Sequence, residues 1–189
     1  MPIPTIDGQQ FIENESLLIL KKGIEGEPLS IQTIFEKDTY ALAYGTAIAQ
    51  LHNAFLDLDK QILCDPANVF ETVQKWALPD VKKQTQQWSL NIPATFFTNY
   101  LSVFGELYSK LPVQIIHRDP NFENILFLNH KVNGFIDFDL VEKNIRLFDP
   151  CYCATSILSQ MSSEHYDDWL PLLSLILTGY DRKKSFNKS

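Results

Sequence analysis

One stretch of the chain combines residue types and spacing that suit chemistry: Ile115-Ile116-His117-Arg118-Asp119-Pro120-Asn121-Phe122-Glu123-Asn124-Ile125-Leu126-Phe127. A second follows, Gly134-Phe135-Ile136-Asp137-Phe138-Asp139. In the first, an acid is followed five residues later by an amide, between two apolar strand-forming runs. In the second, an acid ends another such run. A hairpin between Asn124 and Asp137 would bring both side chains to one edge. Phosphoryl transfer suits such a set, because it relies on positioning and on a divalent metal that neutralises phosphate charge. Mg²⁺ takes a few hard oxygen ligands and leaves the rest to water and phosphate. Asn124 offers a neutral oxygen and Asp137 an anionic one. Asp119 is then free to accept a hydrogen bond from a substrate hydroxyl. His117 is placed to brace the loop rather than to touch substrate.

The elements that must position these residues follow from the pattern. Val113 to Ile116, Ile125 to Leu128 and Val132 to Phe138 read as short strands, with a hairpin at Asn129-His130. Before them, Ile34, Ala41, Tyr44, Ile48, Leu51 and Phe55 recur at helical intervals and predict one helix over Thr33 to Ala54. Phe70 to Trp76 and Phe96 to Leu111 also read as helices, with Pro79, Pro93 and Pro112 near their boundaries. After Asp149-Pro150 the chain turns helical again through Trp169, Leu172, Leu173, Ile176 and Leu177. At the N-terminus, Asp7-Gly8 and Glu13-Asn14-Glu15 are turn signals, and Leu17 to Leu20 is a strand-length apolar run, which together read as a hairpin. Gly26-Glu27-Pro28 breaks any regular element and reads as a hinge.

Composition narrows the classes. The 189 residues, 21.7 kDa, fit one domain or one domain with a fragment of another. A charge of −7 and a pI near 5.0 disfavour nucleic acid and anionic membrane, which need basic surface. The apolar stretch from Trp169 to Tyr180 is too short to span a bilayer. The start, Met1-Pro2-Ile3-Pro4-Thr5, shows no signal-peptide pattern. Three cysteines, Cys64, Cys151 and Cys153, do not suggest a disulfide scaffold and fit a cytoplasmic setting. Packing is the favoured reading of Cys151 and Cys153, of Trp76 and Trp88, and of His52 as a hydrogen-bonded core histidine. His130 reads as a turn residue and His165 as lying near a helix start. Glu164, Asp167 and Asp168 read as helix-start charges.

The pattern His117-x-Asp119-x-x-x-x-Asn124, followed by Ile136-Asp137-Phe138, resembles the catalytic and metal-binding loops of the aminoglycoside phosphotransferase and choline kinase-like family, kinase-fold enzymes that act on small molecules. Further matches are Ile24-x-Gly26-Glu27-Pro28-Leu29 after the hinge, Ala49-Gln50-Leu51-His52 at a helix end, and Asp149-Pro150-Cys151-Tyr152 after the metal loop. The resemblance spans about Leu17 to Tyr180. It implies Asp119 as catalytic base or hydroxyl-orienting residue, and Asn124 and Asp137 as Mg²⁺ ligands. It implies backbone contacts to adenine around Lys22, Gly23 and Ile24, and a structural acid at Asp149 that steadies the catalytic loop. Asp139 stands where the family often has glycine and reads as a loop cap.

The expected fold is therefore α+β: a protein-kinase-like large lobe, mainly helical, with a small β cluster that carries both loops. Residues 1–29 are expected to be a remnant of the small lobe and hinge, 30–180 the large lobe and 181–189 a polar tail. The expected function is ATP- and Mg²⁺-dependent transfer of phosphate to a hydroxyl of an aminoglycoside-like, choline-like or sugar acceptor, with GTP the alternative nucleotide. None of the seven glycines forms G-x-G-x-x-G, and Lys21 and Lys22 sit at the hinge rather than on a small-lobe strand. Weak or no transfer by this chain alone is expected, because part of the triphosphate clamp is missing. The alternatives are a non-catalytic nucleotide or metabolite binder, or a fragment completed by a complementary chain or by self-association through the exposed lobe face.

Overall fold

The computed structural model describes residues 3–9, 12–13, 17–18, 22–62 and 64–184. Strands β1 (Ile12–Glu13) and β2 (Leu17–Leu18) pair antiparallel, with Ile12 opposite Leu18. The turn at Asp7-Gly8 closes through the Gly8 N–H on the Thr5 carbonyl, 3.0 Å. The expectations for Phe11, Asn14, Glu15, Ile19 to Lys21 and the tail 185–189 lie outside the described residues.

The helix expected over Thr33 to Ala54 is two helices, α1 (Ile31–Glu36) and α2 (Asp38–Asp59). Ser30 caps α1 through the Thr33 N–H. Lys37 adopts an extended backbone, φ −150° and ψ 129°, and breaks the ladder without the proline or glycine that would announce it. Of the apolar stripe, Ile34, Ala41, Tyr44, Ile48 and Phe55 are buried and Leu51 is half-buried. Burying a side chain such as Ile48 contributes about 1.5–3 kcal/mol.

Helices α7 (Phe148–Leu158) and α8 (Trp169–Lys184) close the core against α2. The α2–α8 crossing has no room for side chains. A Cβ on Gly45 would fall 1.8 Å from the Ile176 carbonyl oxygen, and one on Gly179 would fall 2.2 Å from that of Leu42. A 3₁₀ turn, Ser163–Asp168, leads into α8 and carries Glu164, His165, Asp167 and Asp168.

Between α2 and α7 run two helical rods. The first is α3 (Val69–Thr72), a π-helical turn (Val73–Ala77) and α4 (Leu78–Gln87). The second is α5 (Ala94–Asn99), a π-helical turn (Tyr100–Phe104) and α6 (Gly105–Tyr108). Pro79 does not end the first rod. It sits in the first turn of α4, directly after the π turn, where the wider ladder accommodates a residue without an N–H. Trp76 and Trp88 do not pack as expected: they are 72% and 62% exposed.

The strands form two further antiparallel ribbons. β3 (Val113–Ile116) pairs with β6 (Glu142–Ile145), and β4 (Ile125–Leu128) with β5 (Lys131–Phe135). Asn129 and His130 form the two-residue hairpin with φ of 51° and 63°. His130 also takes a 2.8 Å hydrogen bond with the Tyr40 hydroxyl. The strand expected to run to Phe138 stops at Phe135, because Asp137 turns into the left-handed region, φ 62°. β6 escapes a sequence reading, since Glu142-Lys143-Asn144 shows no apolar alternation; Asn144 is nonetheless buried and bonded to Glu142.

Candidate active site

The loop that carries His117 to Asn124 begins where β3 ends, and α7 holds it there. Asp149, with no exposure, accepts the His117 N–H at 2.9 Å on Oδ2 and the Arg118 N–H at 3.0 Å on Oδ1. His52 Nε2 lies 2.8 Å from the same Oδ2, and its Nδ1 lies 2.8 Å from the Tyr180 hydroxyl. Arg146 Nε donates to that hydroxyl at 3.0 Å. A neutral His52 satisfies the whole chain: Arg146 donates to Tyr180, Tyr180 to His52, and His52 to Asp149. One buried carboxylate thus ties α2, α7 and α8 to the loop.

Those bonds hold a strained backbone. Arg118 has φ 75°, a region that costs a non-glycine residue about 1–3 kcal/mol. Its side chain is also fixed, 2.7 Å from Glu142 Oε1 and 4.2 Å over the Phe148 ring. His117 is buried and braces the second loop: its Nε2–H donates to the Ile136 carbonyl at 3.0 Å, and its ring lies 4.5 Å from that of Phe138. Its Nδ1 has no hydrogen-bond partner among the described residues.

Asp119 and Asn124 meet directly. Asn124 Nδ2 donates to the Asp119 carbonyl at 3.0 Å and to its Oδ2 at 3.3 Å. With its amide nitrogen committed, Asn124 keeps Oδ1 free as an acceptor. The Ile136 N–H donates to the Asn124 carbonyl at 3.0 Å, which ties the backbones of the two loops side by side one residue before Asp137. The Asp137 carboxylate is exposed and makes no hydrogen bond or ion pair among the described residues. A neutral oxygen and an unpaired carboxylate on adjoining loops are a donor set suited to a hard divalent cation.

The segment that follows Lys22 and Gly23 runs along the β4–β5 hairpin from Ile24 onward, with Ile24 on Gly134 near the loop end. Glu27 pairs with Phe127 through N–H···O bonds of 3.0 and 2.9 Å, and Asn133 Nδ2 donates to the Glu25 carbonyl at 2.8 Å. Gly26, φ 126°, is required: a Cβ there would meet the Phe127 carbonyl oxygen at 2.7 Å. Ile24 covers Gly134 and stays 45% exposed. The structure therefore bonds His117 to Asp149 and Asp119 to Asn124, reaches Asp137 through Ile136, and sets Ile24 to Glu27 against the β4–β5 hairpin.

Sequence reasoning passed over Arg118, Glu142 and Tyr152. Tyr152 stands one helical turn after Asp149 and stacks on Phe148, with ring centroids 5.6 Å apart and planes 19° from parallel. Burial first, then the hydrogen bond and charge of Asp119, push its phenol up, while the Arg118 charge opposes them. The i, i+3 spacing of Asp149 and Tyr152 was the available signal. Among the described residues no group of three or more His, Cys, Asp or Glu gathers as a metal cluster, and Cys153 is wholly buried, its thiol pushed up by burial.

Solved structures share this fold. An aminoglycoside phosphotransferase from Alicyclobacillus acidocaldarius superposes with a TM-score of 0.66 at 16% identity, covering 97% of this chain and 58% of its own. The amicoumacin kinase hAmiN, solved with AMP-PNP, Ca²⁺ and Ami, gives 0.61 at 14% identity, covering 96% and 55%. The gentamicin–APH(2")-IIa complex gives 0.52 at 18%, covering 93% and 59%. The fold is thus the α+β, kinase-like one. The model of the phosphotransferase enzyme family matches residues 4–171, and the chain belongs to that family. No curated protein sequence matches it. The chain spans a little over half the length of these structural relatives. No helix among the described residues is long and apolar enough to cross a membrane.

Proposed function

We propose that this chain carries the catalytic and metal-binding half of an ATP- and Mg²⁺-dependent phosphotransferase acting on a hydroxyl of a small molecule. The observation that carries the reading is the Asn124 amide clasped to Asp119 while the Asn124 backbone is tied to Ile136, beside Asp137. Asp119 orients the acceptor hydroxyl and takes its proton as the bond to phosphorus forms. Asn124 Oδ1 and Asp137 would hold Mg²⁺, which supplies charge neutralisation on the phosphate oxygens. The backbone of Lys22, Gly23 and Ile24 contacts the adenine. His117 and Asp149 keep the two loops in register. AMP-PNP and Ca²⁺ in the amicoumacin kinase support a nucleotide and a divalent cation.

The acceptor is an amine-bearing alcohol in this reading. A cavity of about 950 Å³ opens beside the loop between residues 28–36, the Phe122–Glu123 turn and residues 160–165. Glu36, Glu123 and Glu164 line it without a lysine or arginine, and Phe35 and Phe122 give it apolar walls. Such walls suit a cation with an apolar body, and they meet the loop at Phe122 and Glu123 rather than at Asp119, Asn124 or Asp137. Membership of a phosphotransferase family does not favour the non-catalytic alternative.

The test is transfer of labelled γ-phosphate from ATP to a panel of amino alcohols and aminoglycosides. We expect slow, Mg²⁺-dependent transfer that falls by about 10²–10⁴-fold in Asp119→Asn. Undiminished transfer in that variant would remove Asp119 from its role.

A further inference from the structure

We infer that Tyr180 and Arg146 are positioning residues for Asp119: they fix the direction of a buried hydrogen-bond chain that ends on the backbone just before it. The inference rests on the role proposed for Asp119 and adds two residues that lie outside the loop motif.

The chain runs one way. Arg146, its first member, can only donate. Its Nε–H lies on the Tyr180 oxygen at 3.0 Å, so the phenol hydrogen must go to another acceptor. The partner on the other side is His52 Nδ1 at 2.8 Å, with the two rings 5.5 Å apart and nearly perpendicular. A ring nitrogen that accepts leaves the proton of a neutral histidine on the other one, Nε2. That nitrogen is 2.8 Å from Asp149 Oδ2, the oxygen that also takes the His117 N–H at 2.9 Å. Reversing the link between Tyr180 and His52 would strand the phenol hydrogen and set a bare Nε2 against the carboxylate.

The far end of the chain is the loop. Asp149 is held on Oδ2 by His52 and His117 and on Oδ1 by the Arg118 N–H at 3.0 Å. Arg118, φ 75°, is the strained residue that relaxes when its N–H is released. Asp119 comes next, and its carboxylate has to stay in line with the acceptor hydroxyl. Without the Tyr180 hydroxyl, a fully buried Nδ1 has no donor. The His52 ring then gains by turning, and its hold on Oδ2 goes with it.

The two residues stand on separate elements. Arg146 follows β6 and is tied by its own N–H to the Pro112 carbonyl at 2.9 Å, while Tyr180 belongs to α8. The packing of α8 and of β6 therefore bears on the loop through one line of bonds.

The test reads that line without requiring turnover. Tyr180→Phe keeps the ring and removes the hydroxyl. Amide hydrogen exchange of the full ¹⁵N-labelled chain is followed at His117 and Arg118. The Phe127 amide, bonded to the Glu27 carbonyl at 2.9 Å, serves as the internal control. We expect protection at His117 and Arg118 to fall about 10-fold in Tyr180→Phe while that of Phe127 holds. Arg146→Met should weaken the same two amides, and Arg146→Lys, which keeps a donor, should restore them; this pair carries the test should Tyr180→Phe not fold. Wild-type protection in the folded variants, or an equal loss at all three amides, overturns the inference. Where transfer is detectable, Tyr180→Phe should lower kcat about 10-fold with the KM for ATP unchanged. Selective loss at the two amides in a chain that transfers no phosphate upholds the positioning chain and counts against the phosphotransfer reading alone. Wild-type kcat beside that selective loss overturns the link to Asp119.

Discussion

The helices that hold the site and the rods between residues 69 and 108 are built in opposite ways. α2, α7 and α8 bury Ile48, Ala154, Ile157 and Ile176 completely and are cross-linked by the buried chain from Arg146 through Tyr180 and His52 to Asp149. The rods bury none of their residues. What holds them together is an aromatic cluster of their own, Phe70, Tyr100, Phe104 and Tyr108, with ring centroids 5.0 to 6.0 Å apart. Phe70 also fills the space that a side chain on Gly105 would need, 3.0 Å from its Cβ. A rigid half therefore carries the residues that must keep a geometry. A loosely attached half carries exposed apolar surface next to it, including Trp76 and Trp88.

The largest effect that separates the halves should come from Asp149→Ala. It strips three donors of their acceptor and leaves buried N–H groups unpaired, so we expect a loss of about 3–5 kcal/mol by urea unfolding. A loss below about 1 kcal/mol would mean that the loop is held by something other than this carboxylate.

Alkaline pH should act on the rigid half next. Burial pushes the Tyr44 phenol and the Cys153 thiol up from ordinary values of 10.0 and 9.0. The folded chain holds these protons more tightly than the unfolded chain does. Their contribution is complete below about pH 9 and is lost as pH rises beyond those ordinary values. Urea midpoints between pH 7 and 11 should fall above pH 9, and Tyr44→Phe should flatten the fall. An unchanged slope in that variant would place the alkaline sensitivity elsewhere.

The smallest effect should come from the rods. Trp76→Ala and Trp88→Ala remove side chains that face solvent and should each change stability by less than about 0.5 kcal/mol. A cost near 2 kcal/mol would show that these tryptophans are covered in solution.

The same contrast explains what the sequence disclosed. The stripe of Ile34, Ala41, Tyr44, Ile48 and Phe55 was legible because burial imposes helical spacing on it. The Asn129-His130 hairpin was legible because its turn needs positive φ. Asp119 and Asn124 stood out because an acid and an amide five residues apart lie between two apolar strand runs, and the structure bonds them to each other. The break at Lys37 was not legible, because no proline or glycine marks it. β6 was hidden because its polar residues are satisfied by partners distant in sequence, Glu142 by Arg118 and Lys143 by Asp59. The rods hid their continuity through π turns, and their exposed tryptophans defied the usual preference of that residue for burial. The clasp of Asp149 on His117 and Arg118 joins residues 31 and 32 positions apart, which no local pattern encodes.

The central claim is a working nucleotide–metal site on the rigid half. Its most direct test is thermal unfolding of this chain with Mg²⁺ and ATP, beside Asp137→Ala. Ligand at 100 times its Kd should stabilise by about 2.7 kcal/mol, a rise in Tm of roughly 5–10 °C at this size. The account predicts that rise with both ligands present and its loss in Asp137→Ala or without Mg²⁺. No rise at millimolar ATP, or an equal rise in Asp137→Ala, would contradict it.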